Sequence, residues 1–139
     1  MATFFSVAVG RIDPDRLLLL IPNYHTIPDE DYIDDPRAGA RIGSAAIRAA
    51  LQRILDCEFG QLHVHLHEHK GSPRPSTMDM RETPRLIESM VATDATRAHG
   101  AVILSHDSAW AKIWVPGIKQ PVLATKITVV GFPFRFLQR

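Results

Sequence analysis

Four histidines stand at every second position of one short stretch, HVHLHEHKGSPRPSTMD, which covers residues 63–79. They are His63, His65, His67 and His69. In a β-strand, side chains two positions apart share a face and lie about 6.5–7 Å apart along the chain. Two imidazoles at that spacing can reach one metal ion, and zinc accepts imidazole nitrogen at about 2.0–2.1 Å.

A carboxylate follows the histidines after a bend rich in glycine and proline. Gly71, Pro73 and Pro75 interrupt the strand pattern, and Ser76 and Asp79 come next. A carboxylate after a turn is a natural third ligand, and three protein ligands with an open fourth position are typical of a catalytic zinc site. At such a site, zinc makes water a usable nucleophile near neutral pH. A histidine-rich tract that holds metal without catalysis is the alternative.

Other metal motifs fit this stretch poorly. The HxHxDH pattern of metallo-β-lactamases requires aspartate where this chain has His67, and histidine where it has Glu68. The helical HExxH motif is absent. An amidohydrolase HxH pair belongs to a barrel of about 250 residues, which is longer than this chain.

The flanking sequence predicts strands around the histidine stretch. Alternation predicts a strand at 61–67, with the histidines on the face opposite Leu62, Val64 and Leu66. The acidic, turn-rich segment 28–39 is predicted to be a surface loop. The other predicted strands are residues 3–12, 16–27, 100–105, 110–115 and 122–132.

Two helices are predicted from apolar residues at helical spacing. Residues 44–56 form the first, with Ser44 as its N-cap. Residues 83–92 form the second, with Thr83 as N-cap and Pro84 at the first helical position. The predicted inner faces are Ala45, Ile47, Ala50, Leu51, Ile54 and Leu55 in the first helix, and Leu86, Ile87, Met90 and Val91 in the second. The predicted fold class is therefore α+β (mixed α/β), with a helix-flanked sheet.

Three further side chains have more than one interpretation. Trp110 and Trp114 share a face of the strand 110–115, where they either cover the core or form a ridge that faces substrate. Cys57 lies between a helix and a core strand, so the sequence favours a buried, inert thiol over a reactive one.

The composition restricts the class of protein. A length of 139 residues suits one domain, and a net charge of +1 with 22% charged residues predicts no nucleic-acid or membrane partner. The single cysteine excludes an internal disulfide and a multi-cysteine zinc site. The longest apolar run, residues 17–21, is far shorter than the ~20 residues of a membrane span. The first ten residues lack a signal-peptide pattern, so a cytoplasmic location is expected.

The histidine stretch resembles the motif of the JAB/MPN (JAMM) zinc metalloprotease family. That motif is H-x-H, seven or eight residues, and then S-x-x-D. Here HLH supplies His65 and His67, eight residues follow, and STMD supplies Ser76 and Asp79. The longer form of bacterial branches is similar to the whole stretch. Residues 16–33 and 100–117 also look like segments of the family, so the resemblance covers most of the chain.

The resemblance implies a fold and a set of site residues. The fold would be an MPN-like curved β-sheet flanked by helices, a cytidine-deaminase-like architecture, in one domain over residues 1–139. His65, His67 and Asp79 would hold Zn²⁺, and Ser76 would be the catalytic residue that hydrogen-bonds the attacking water or the oxyanion. His63 and His69 match no family ligand and are expected beside the ligands or at the mouth of the site. The resemblance thus implies that only two of the four histidines, His65 and His67, are metal ligands.

One family residue has no counterpart at its expected position. The family's general base is a glutamate on the segment before the first of these strands. Only Met1 and Ala2 precede that strand here. Three explanations stay open: the chain lacks a glutamate-bearing N-terminal segment, another residue substitutes for it, or the domain is catalytically weak.

The function that the resemblance implies is zinc-dependent cleavage of a peptide or isopeptide bond. The substrate would be a peptide, or the tail of a ubiquitin-like protein, and bacterial relatives often accompany a ubiquitin-activating-type adenylating enzyme. Because the glutamate is missing, the alternative is a catalytically incomplete MPN-type scaffold or binding domain. A metal-dependent hydrolase of small amides is a third, weaker interpretation.

Overall fold

The computed structural model describes residues 1–13, 15–36, 39–130 and 135–137. Predicted strands at 3–12, 16–27, 61–67, 100–105 and 110–115 are confirmed, with each boundary shifted by no more than one residue. The predicted strand at 122–132 is two short strands, and its residues 131–132 lie outside the described part. The elements in chain order are β1 (Ala2–Asp13), β2 (Arg16–Thr26), a 3-10 turn (Asp29–Asp31), β3 (Tyr32–Asp35), β4 (Gly39–Ile42), α1 (Ser44–Asp56), β5 (Gly60–Leu66), α2 (Thr77–Thr93), β6 (His99–Leu104), β7 (Ala109–Trp114), β8 (Val122–Leu123), β9 (Ile127–Val129) and β10 (Arg135–Leu137).

The main sheet is mixed and curled, and its six strands run in the order β2-β1-β5-β6-β7-β8. Strands β5 and β6 are parallel, whereas the other neighbours are antiparallel. Parallel neighbours need a crossover connection, and α2 lies in that connection. The chain therefore leaves the end of the histidine strand and soon enters the first turn of a helix. The fold is α+β, as predicted.

The two faces of the sheet are buried against different partners. Leu62 and Val64 of β5 belong to an apolar cluster on one face, as the alternation predicts. The two helices cover the other face, where Phe4 of β1 packs among their side chains. The buried members of this second cluster are Phe4, Ile27, Ala46, Ala50, Ile54, Leu86, Ile87 and Met90. His63 and His65 therefore lie on the helix-covered side of the sheet.

The predicted cap and apolar face of α1 are partly wrong. Gly43, not Ser44, is the N-cap, and its N–H donates to the carbonyl of Asp31 over 2.6 Å. A Cβ at Gly43 would lie 2.7 Å from that carbonyl oxygen, so the close approach of the two backbones favours glycine there. Ala46, Ala50 and Ile54 are the buried positions. Of the residues predicted to face inward, Ala45 and Leu55 are exposed.

The predicted start of α2 is also wrong. The helix begins at Thr77 with Ser76 as N-cap, seven residues before Pro84, the predicted first helical residue. The reason is the sequence S-T-M-D, which forms a capping box and starts a helix more strongly than Thr83-Pro84. Pro84 lies inside the helix and has no N–H for the carbonyl of Met80, four residues earlier.

Two smaller predictions are corrected as well. The acidic segment 28–39 contains β3, which pairs with β4. The Tyr32 hydroxyl also donates to Ala2 O over 2.8 Å and anchors the segment to β1. Cys57 is exposed rather than buried, since it caps the C-terminus of α1 on the surface. In the described ranges, no helix has the length and apolar character that a membrane span requires.

Candidate metal centre

Three of the predicted residues meet at the junction of β5 and α2. His65, His67 and Asp79 each offer one ligand atom, and these atoms all lie within 4.8 Å of one another. Two imidazole nitrogens and one carboxylate oxygen suit zinc, and the three ligands leave room for an open position. The residues present thus fit the metal that the motif implies. We call them the ligand triad.

Strand pairing fixes the two histidines. His65 stands in β5 between Ala2 of β1 and Ile103 of β6. His67 lies just past the end of β5, but its N–H still donates to Leu104 O over 2.8 Å, which extends the pairing with β6. The two imidazole rings are edge to face, with centroids 4.9 Å apart. Both rings therefore remain on the same side of the sheet.

The first turn of α2 fixes the carboxylate. Ser76 N donates to Asp79 Oδ2 over 2.8 Å, and Asp79 N donates to Ser76 Oγ over 3.1 Å. This reciprocal capping box makes Asp79 part of the helix start as well as part of the triad. The carboxylate also lies 2.9 Å from His65 Nδ1 and 3.5 Å from His67 Nε2. Ser76 is therefore held next to the triad through Asp79.

The electrostatics keep Asp79 and His67 in the forms that bind metal. Partial burial opposes ionisation of Asp79, but hydrogen bonds from His65 and Ser76 outweigh it and hold the pKa of this carboxyl well below its usual range. Burial, reinforced by the nearby His65, lowers the pKa of His67. A carboxylate and neutral imidazole are the forms that donate electron pairs to a metal ion.

The loop between His67 and Ser76 is tied to the turn after β6. The N–H of Gly71 donates to Asp107 Oδ1 over 2.7 Å, and the hydroxyl of Ser105 donates to Gly71 O over 2.7 Å. His106 N donates to His69 O over 3.0 Å. Gly71 has a φ of +91°, a conformation that favours glycine. These bonds hold the bend that brings Asp79 toward the histidines.

The remaining two histidines of the run lie outside the triad. His63 lines the space under α2, and burial lowers its pKa to about 4. Its Nε2 is buried and has no hydrogen-bond partner among the described residues. His69 is exposed, and its Nδ1 lies 2.9 Å from Lys70 O. His63 thus lies beside the triad, whereas His69 lies at the surface, 5.5 Å from His67 between ring centroids.

A cavity of about 420 Å³ adjoins the triad and separates α2 from the sheet. His65 and Asp79 stand in its wall, so it opens directly onto the candidate metal centre. Trp110, Lys112 and Trp114 of β7 also line it. We call this space the tryptophan cavity. The predicted shared face of the two tryptophans is confirmed, and Trp114 also packs against the helix-side core.

Sequence reasoning missed Lys112 as a site residue. The signal was present in the alternation of β7, where Trp110, Lys112 and Trp114 share one face while Ala111 and Ile113 are buried on the other. Only the pairing of β7 with β6 shows that this face adjoins the histidine strand.

No family model matches the chain, and no curated protein matches it significantly. Membership of the JAB/MPN family therefore stays a prediction that depends on the motif and its geometry.

Proposed function

We propose that this domain binds one zinc ion through the ligand triad and hydrolyses an amide bond. The observation that carries the proposal is the convergence of His65, His67 and Asp79, whose ligand atoms lie within 4.8 Å of one another. Residues 12 to 14 positions apart in the sequence come together here with the donor types that zinc prefers.

The chemistry divides between the metal and the chain. Bound zinc would supply Lewis acidity for a carbonyl and would acidify water. Asp79 and His67 are held as carboxylate and neutral imidazole, and Ser76 lies beside them at the positive end of α2. Its Oγ accepts the N–H of Asp79, which leaves the hydroxyl proton to donate to a developing oxyanion.

The proposed substrate is a peptide, or a peptide or isopeptide bond next to the tail of a ubiquitin-like protein. This part of the proposal depends on the resemblance of residues 63–79 to the JAMM motif, as do the MPN-type architecture and an adenylating partner enzyme. A cytoplasmic location is proposed from the single cysteine and the disulfide-free chain. The residues described along the tryptophan cavity include no glutamate that could take the role of the family's general base.

The test measures metal and hydrolysis separately. The purified chain is stripped with a chelator, reconstituted with zinc and analysed for metal content, and then assayed on ubiquitin-like fusion proteins. We expect about one zinc per chain, lost in His65→Ala and in Asp79→Asn because each removes a ligand. His69→Ala is the matched control, since it removes a histidine of the same run that lies outside the triad.

The outcomes separate the possible functions. Absence of zinc uptake under reconstituting conditions overturns the proposal. Zinc uptake with hydrolysis that depends on His65 and Asp79 supports it in full. Zinc uptake without hydrolysis of any fusion contradicts the enzymatic part and favours the scaffold function.

A further inference from the structure

The tryptophan cavity has a polar end and a basic end. His65 and Asp79 form the first, and Lys112 forms the second from β7, two strands away from β5. Ala101 and Ile103 of β6 form the floor between the two ends, and both are buried apolar residues. A cavity of about 420 Å³ is within the range that holds a small ligand or one large side chain.

The sheet register gives the separation of the two ends. Neighbouring strands lie about 4.8 Å apart, so two steps across the sheet separate β5 from β7 by about 10 Å. This distance suits a group with an apolar body and a polar tip. The two rows of paired residues that cross the strands are His65–Ile103–Trp110 and His63–Ala101–Lys112.

Lys112 is held in place, but the described residues supply no anionic partner for it. Its Nζ lies 5.4 Å from the centre of the Trp114 ring, which is a cation–π contact. Among the described residues, no carboxylate forms an ion pair with it. Lys112 is half-buried beside apolar side chains. Its ammonium group is therefore suited to bind a carboxylate from outside the protein.

We propose that the tryptophan cavity binds a hydrophobic group that carries a carboxylate, with the apolar body over Ala101 and Ile103 and the carboxylate against Lys112. Selection of such a group next to the cleaved amide bond rests on the proposed function, whereas binding of the group does not. The domain would accordingly prefer substrates in which the residue next to the cleaved amide bond has an apolar body and carries a carboxylate.

The chain contains its own reporter for this test. Its only two tryptophans are Trp110 and Trp114, and both line the cavity. Intrinsic fluorescence therefore reports occupancy. The probes are N-acetyl-leucine, which has the carboxylate, and N-acetyl-leucinamide, which has the same apolar body without the charge. Each is titrated into chelator-treated and into zinc-loaded protein, because a carboxylate can also bind zinc directly.

In chelator-treated protein, we expect N-acetyl-leucine to bind about tenfold more tightly than the amide, as a charge-assisted hydrogen bond implies. Lys112→Met abolishes that difference and leaves the amide affinity unchanged. Ala101→Leu fills the floor and weakens both probes. Lys119→Met, which removes an exposed lysine away from the cavity, is the matched control and keeps the tenfold difference.

Failure of this inference is distinct from failure of the metal proposal. Equal affinity for the two probes, or a preference that survives in Lys112→Met, overturns the inference even if zinc binds. A tenfold preference that depends on Lys112 supports the ligand assignment even if zinc uptake fails.

Discussion

Asp79 Oδ1 lies 2.9 Å from His65 Nδ1, so the first turn of α2 contacts β5 through two of the three proposed ligands. The contact joins residues 14 positions apart. Because a hydrogen bond already brings His65 and Asp79 together, metal binding needs little rearrangement of the backbone.

Zinc should therefore stabilise a domain that is already folded. At a free zinc concentration a hundred times the Kd, linkage predicts a gain of about 2.7 kcal/mol in the free energy of unfolding. Urea denaturation with zinc and with chelator measures it. Asp79→Asn should show no zinc-dependent gain. Complete unfolding of the wild type by chelator alone would contradict a preformed site.

Ser76 has two roles that substitution can separate. Ser76→Ala removes the N-cap acceptor of Asp79 N, so we expect a loss of about 1 kcal/mol in stability. Ser76→Asn keeps a good cap but removes the hydroxyl, so its stability should remain within about 0.5 kcal/mol of the wild type. If the hydroxyl assists hydrolysis, kcat of Ser76→Asn falls at least about tenfold at full zinc content. An unchanged kcat in Ser76→Asn would show that Ser76 acts only as the N-cap of α2.

The bend before α2 should influence metal affinity from a distance. Asp107→Ala removes the acceptor of Gly71 N and loosens the loop, so the Kd for zinc should rise by about tenfold while one zinc per chain is still bound. Isothermal titration calorimetry measures this. Asp13→Ala is the control, because Asp13 makes similar turn contacts between β1 and β2, away from the triad. Equal affinities in both variants would show that the bend is held by other contacts.

Acid should destabilise the metal-free domain through His63. The unfolded chain protonates this histidine near pH 6.5, whereas burial lowers its folded pKa to about 4. Between these two pH values, the unfolded state thus binds more protons than the folded state. The free energy of unfolding therefore decreases by about 2–3 kcal/mol as the pH is lowered from 6.5 to 4.5. Asp79, whose folded pKa is lowered, adds a further loss only below about pH 4.

Urea denaturation of chelator-treated His63→Gln checks this reasoning. The variant should lose most of the acid dependence above pH 4.5. A smaller part should remain, because burial also lowers the pKa of His99. An unchanged pH profile would mean that His63 is protonated in the folded protein.

Pro84 should be a source of instability in α2. It lies in the helix interior, where the missing N–H leaves the carbonyl of Met80 without its usual donor. Pro84→Ala should raise the free energy of unfolding by about 1–3 kcal/mol. Ser89→Ala, at an exposed position of the same helix, should change it by no more than about 0.5 kcal/mol. A destabilised Pro84→Ala would show that the ring contributes more by packing than it costs in hydrogen bonding.

Local patterns predicted most of the elements but not their boundaries. Alternation located β5 and the opposite faces of its leucines and histidines, because strand periodicity is a local property. The predicted start of α2 is wrong, because S-T-M-D serves as the helix cap as well as the metal motif, and Thr83-Pro84 lies inside the helix. The same four residues do both, and the capping box was readable from the sequence.

By itself, the sequence determined the identity and the spacing of the donors: His65 and His67 on one strand face, and Asp79 after a bend. It did not determine that β7 lies two strands away, with Trp110 and Lys112 beside the same site. That arrangement depends on the pairing of β5 with β6, whose partner residues are 38 positions apart, and short-range periodicity does not encode such pairing. Tertiary structure therefore determined the tryptophan cavity, because residues of α2 and residues of the sheet line it together.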